Sequence, residues 1–184
     1  MGAPEFCLGL FNGWWFLLAF IFMNIIQMII YPSYYTKKLL KLPNLSKSRA
    51  FSAMYALVLN GTMIYSIFVS IKFYALSFWL GLSLFILSGI LFFVTMYDYA
   101  TTDPSKPVVK GIYRYSRNPQ QLLAVLMWIG VATVTQSIII FILCILQFFL
   151  MYPTLVAQEQ FCIHKYGSEY SDYMKKVPRY FWKI

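Results

Sequence analysis

Four stretches of this chain carry no charged residue: residues 6–36, 50–71, 73–97 and 118–158. The hydrocarbon core of a bilayer, ~30 Å thick, is crossed by about 20 apolar residues of helix. The last stretch, 41 residues long, holds two such helices, and the others hold one each. The pattern predicts an all-α integral membrane protein of five transmembrane helices. Composition agrees: 60% of the residues are hydrophobic and 11% charged, where a soluble domain carries about 25% charge. That excludes an ordinary water-soluble enzyme, and a chain this apolar does not stay disordered. The spans are expected at about 8–31, 50–71, 73–97, 119–136 and 137–158, in one domain over residues 1–184. The first run lacks a basic segment ahead of it and is too long for a signal-peptide core.

The charged residues set the orientation. Lys37, Lys38, Lys41, Lys47 and Arg49 lie in 33–49. Lys106, Lys110, Arg114 and Arg117 lie in 98–118. Lys165, Lys175, Lys176, Arg179 and Lys183 lie in the tail 159–184. The turns near Lys72 and Gln136 hold one positive charge between them. Cytosolic loops are the basic ones, so five spans place all three basic segments inside and the N-terminus outside. The net charge of +9 sits in short clusters at the ends of apolar runs, a membrane-surface pattern rather than a nucleic-acid one. Cys7, Cys144 and Cys162 have no metal-ligand spacing, and His164 is the single histidine, so no metal site is expected.

Two segments flank the last pair of spans and should meet at their inner ends. One runs from Val108 to Pro119, with Asn118 placed as helix cap and Pro119 as first helical residue. The other begins at Gln158-Glu159 and continues through a short helix, with Gly167 and Ser168 at its junction, Glu169 and Asp172 near its start and Lys175-Lys176 near its end. Together they predict a polar pocket of Tyr113, Arg114, Arg117, Asn118 and Glu159, roofed by the tail. Read alone, the arginines equally suit headgroup anchoring and the tyrosines an interfacial belt. Asn60 and Gln147, inside spans, are expected to bond across helices.

The pattern Gly111-Ile-Tyr113…Arg117-Asn-Pro119, a hydrophobic hairpin, Glu159, then Tyr166-Gly-Ser-Glu-Tyr170-Ser-Asp-Tyr173…Val177 resembles the isoprenylcysteine carboxyl methyltransferase and phospholipid methyltransferase superfamily. The likeness covers about residues 98–179. It implies S-adenosylmethionine bound at the cytosolic face and a lipid or lipidated acceptor, reacting through a carboxylate or amine, that enters from the bilayer. Carried over, Val109, Lys110, Gly111 and Tyr113 would hold the cofactor, Arg117 and Asn118 would stand beside it, and Glu159 would bind its polar end. Lys176 would lie near the reacting group, so Arg117, Glu159 and Lys176 are the expected catalytic residues. Two positions depart from the pattern: Gln158 replaces an acid and Gln121 an aromatic. The alternatives are an NADPH-dependent reductase of the sterol or steroid type and a non-enzymatic lipid-binding protein. Glu159, read as an interfacial carboxylate, is expected to matter for cofactor binding and little for folding.

Overall fold

The computed structural model describes residues 9–31 and 49–181. Cys7, Lys183 and the lysines expected in the first basic loop (Lys37, Lys38, Lys41 and Lys47) lie outside these residues. The described chain is all-helical: α1 Trp14–Ile30, α2 Arg49–Ser66, α3 Leu76–Ala100, α4 Pro119–Thr135, α5 Ile138–Tyr166 and α6 Ser168–Lys176. A 3-10 turn, Gly111–Arg114, precedes α4. Helices α3 and α5 are long and apolar enough to cross a bilayer, whereas α1 and α4 are apolar but shorter, at 17 residues each.

Helix α4 is the centre of the bundle. It packs along α3 on one side and α5 on another, and α5 packs in turn on α2. Leu122, Leu123, Val125, Met127, Trp128, Val131 and Val134 of α4 are all buried. The outer helices keep apolar side chains on the outside as well: Ile21, Phe22, Ile25 and Ile29 of α1, Ile86, Leu87 and Ile90 of α3, and Phe141, Ile142, Ile145 and Phe149 of α5. Such a surface is costly in water and ordinary in lipid. The α3–α4 crossing depends on two glycines. A Cβ on Gly81 would lie 2.6 Å from the Gly130 carbonyl oxygen, and one on Gly130 would lie 2.8 Å from that of Gly81. Small residues let backbones approach this closely, which is how helices associate where no hydrophobic drive separates helix from lipid.

Several expected boundaries move: α1 begins at Trp14 rather than at 8, and α3 runs from Leu76 to Ala100 rather than over 73–97. The second span, expected to residue 71, stops at Ser66 because the residues beyond it are taken by other partners. Gly13 N donates to Val69 O at 2.8 Å, Ile71 N to Phe11 O at 2.8 Å and Lys72 N to Val134 O at 3.1 Å. These bonds tie the start of α1 and the end of α4 to the α2–α3 connection. The fifth helix continues past 158 to Tyr166, so the first turns of the expected tail belong to α5. The α4–α5 hairpin turns at Gln136, in the left-handed region, and Ser137 caps α5 by accepting from Ile140 N at 3.3 Å. Gln147 bonds across to α2, donating to Thr62 Oγ1 at 2.9 Å. Asn60 instead donates to Ala56 O of its own helix at 2.7 Å.

Candidate functional site

One end of the bundle is closed by the loop before α4 and the tail after α5. Tyr173 Oη donates to Tyr113 O at 2.6 Å, Arg117 N to Pro178 O at 3.0 Å and Ser116 Oγ to Arg179 O at 3.1 Å. Through these bonds α6 lies over the loop and carries the segment 177–180 back beneath it. Gly167 alone joins α5 to α6 and fills the cap position expected of Ser168, while Glu169 and Lys175-Lys176 occupy the expected ends of α6.

Glu159 is the centre of this closure. It projects from α5 with a relative exposure of 2%. Arg179 grips it with two nitrogens, Nη2 to Oε2 at 2.8 Å and Nε to Oε1 at 3.1 Å. Asn118 Nδ2 donates to Oε1 at 3.1 Å. Arg117 Nε stands 3.3 Å from the same oxygen, close enough to neutralise charge but not aligned to donate; its Nη1 reaches Met174 O at 3.4 Å. The hydrogen bonds to Glu159 push Arg179 still further up from its ordinary value. Two guanidinium groups therefore flank one carboxylate. The premise of the expectation that Glu159 matters little for folding, an exposed interfacial carboxylate, does not hold: Glu159 is buried among its partners, and removing one partner of a buried pair strands the others.

Asn118 was expected to cap α4 or to line the site. It occupies the cap position, but its side chain makes no capping bond. The amide bonds Glu159 and, at 3.4 Å, Arg179 O, and Ser116 Oγ accepts from the Asn118 N–H at 3.2 Å.

Beside this ion-pair knot opens a cleft of about 130 Å³. Tyr113, Arg117, Asn118 and Glu159 line it, as expected. Gln121 and Gln158, the two departures from the family pattern, line it side by side, with Gln121 Nε2 3.5 Å from Gln158 Oε1. Val109, Arg114 and Lys176 face a separate shallow groove across α6. Lys110 points elsewhere, donating to Thr101 Oγ1 at 2.7 Å. Gly111 lies behind the wall with φ +56°, and a Cβ there would collide with the Asp98 carboxylate.

Sequence reasoning missed Arg179 and most of the aromatic lining, including Tyr99, Phe161 and Tyr170. Arg179 carried a readable signal. A carboxylate at the edge of an apolar region needs a counter-ion, arginine suits the two-pronged grip, and Arg179 is the one arginine in the tail.

The model of the phospholipid methyltransferase family matches residues 65–169, more than half of the chain, including the loop before α4 and Glu159 but not Tyr170, Tyr173 or Arg179. The chain belongs to the phospholipid methyltransferase family. Its members are integral membrane methyltransferases. No curated protein and no solved structure matches the chain.

Proposed function

We propose that this protein is a five-span membrane methyltransferase that binds S-adenosylmethionine in the cleft between α4, α5 and α6. In this reading it methylates a carboxylate or amine of a lipid arriving from the bilayer. The observation that carries the proposal is the meeting of both family motifs at one cleft, through the Arg117–Glu159–Arg179 knot. The donor set suits a zwitterionic cofactor. Arg117 and Lys165 offer positive charge to a carboxylate, and Gln120, Gln121 and Gln158 offer amide donors and acceptors. Bound there, S-adenosylmethionine supplies an electrophilic methyl group. Direct displacement asks the protein mainly for orientation and for exclusion of water. Glu159 orients: it fixes Arg117 and Asn118 on the cleft wall. Tyr170 and Tyr173 of α6, both buried, form the water-excluding roof. In this reading Val109, Lys110, Gly111 and Lys176, which do not line the cleft, do not touch the ligand.

The same reading places the cleft on the cytosolic face and the N-terminus outside, as the basic residues near α5 and α6 require. Cysteine labelling should find positions 106 and 181 on one side of the membrane; opposite sides would break the closure and the proposal with it. Calorimetric titration of the detergent-purified protein with S-adenosylmethionine and with NADPH tests the chemistry. Binding of the first and not the second is expected. Binding of NADPH alone would make the protein a reductase, and binding of neither would end the enzymatic reading.

A further inference from the structure

Five tyrosines line the one cleft: Tyr99, Tyr113, Tyr166, Tyr170 and Tyr173. Two of their hydroxyls are directed away to backbone, Tyr173 Oη to Tyr113 O at 2.6 Å and Tyr166 Oη to Pro104 O at 3.4 Å. Tyr170 packs between its neighbours, 6.5 Å from Tyr166 and 5.6 Å from Tyr173 by ring centroids. These rings line the cleft, and aromatic faces attract cations. One cation is already placed this way: Lys165 Nζ lies 4.7 Å from the centroid of Tyr166. Burial pushes Tyr113, Tyr170 and Tyr173 upward, so all three stay neutral at ordinary pH.

Asp98 adds a second, independent observation. It is 8% exposed, its Oδ2 has no hydrogen-bond partner, and no ion pair among the described residues includes it. It lies behind Tyr113, against Gly111. A buried carboxylate without a counter-charge is costly, and one at a membrane boundary marks function by default. Glu159, by contrast, is neutralised by two arginines. The cleft is thus lined by Arg117 and Lys165 in one part and by the tyrosines in another, with Asp98 behind Tyr113.

We propose that the tyrosine wall, with Asp98 behind it, is a cage for a soft organic cation carrying the methyl groups of the reaction. This rests on the methyltransferase reading. The cation is the sulfonium of the cofactor or the ammonium of an aminolipid, since both present a weakly hydrated, methyl-bearing positive centre. The cage explains how a cleft with no free carboxylate on its walls attracts a positive ligand. It also predicts release of a cofactor once its sulfur has become neutral.

The test compares affinities of the purified protein for S-adenosylmethionine and for S-adenosylhomocysteine, its uncharged counterpart, with tetramethylammonium as an independent probe. A preference of roughly tenfold for the charged form is expected. The preference should vanish in Tyr99→Leu and Tyr166→Leu and survive in Tyr99→Phe and Tyr166→Phe. Asp98→Asn should raise the melting temperature, by removing an unpaired buried charge, while reducing the preference; a lowered melting temperature with the preference intact would assign Asp98 a purely structural role and overturn its part. Equal affinities, with nanodiscs of an ethanolamine lipid bound in a tyrosine-dependent way, would assign the cage to the lipid. Tyrosine-dependent binding of tetramethylammonium without binding of S-adenosylmethionine would retain the cage and overturn the cofactor reading. Absence of binding by all these probes, or preferences unchanged in the Leu variants, would overturn the cage.

Discussion

The two ends of α4 are held by opposite means. Toward its C-terminal end, Gly130 lies against Gly81 so closely that backbone meets backbone, with Val134 and Phe85 beside them. At its N-terminal end, Asn118 is tied into a knot of one acid and two arginines. The crossing leaves no space for added volume. The knot has room beside it, because a cleft opens there, but is intolerant of a changed charge. Structural demand and chemical demand are thus separated along one helix, and each can be broken without the other.

The largest break is expected at the knot. Glu159→Gln leaves Arg117 and Arg179 without their carboxylate and should destabilise the protein by about 3–5 kcal/mol, read by denaturant or thermal unfolding in detergent. A loss under about 1 kcal/mol would return Glu159 to the role of an interfacial charge. Gly130→Val should follow. Its branched side chain must displace the α3 backbone at Gly81 and Phe85, and overpacking costs about 1–3 kcal/mol. The comparison sharpens if this variant, once folded, keeps its affinity for S-adenosylmethionine.

Asn118→Asp should cost somewhat less, about 1–3 kcal/mol. It removes the donor to Glu159 Oε1 and sets a second carboxylate against the first. Asn118→His keeps a donor and should lose less, in both melting temperature and cofactor affinity. Since the Asn118 side chain makes no capping bond, an Asp variant as stable and as tightly binding as the parent would contradict the place given to this residue.

The smallest effect is a dependence on pH. Burial raises Tyr113, Tyr170 and Tyr173 above the ordinary tyrosine value, so the folded state holds these protons longer than the unfolded chain. Their contribution is complete below about pH 10, the unfolded value, and is lost as pH rises toward the folded values. Melting temperature should decline above that pH, with tyrosinate absorbance appearing only as the protein unfolds. Tyrosinate forming at its ordinary pH in the folded protein would open the roof of the cleft.

What the sequence made legible divides along the same line. Gaps in charge are long-range features, and they placed the five long helices within a few residues except where other contacts intervened. The second helix stops short because Val69 and Ile71 pair with Gly13 and Phe11, a contact between segments more than fifty residues apart that no local pattern encodes. Arg117, Asn118 and Glu159 were legible because the motif spacing survives in this chain. The Gly81–Gly130 crossing was not, because two isolated glycines in apolar runs carry no mark of which helix they will meet. Arg179 and the other four tyrosines escaped as lining residues for a further reason: their significance comes from α6 folding back over the loop, which is set by Tyr173 Oη and Pro178 O.

The central claim, that the cleft beside the knot holds the methyl donor, is tested most directly by hydrogen exchange with and without S-adenosylmethionine. The account predicts added protection in residues 113–121 and 158–173, with none in the outer turn around Lys72 and Gln136. Protection confined to that outer turn, or none despite measured binding, would contradict it.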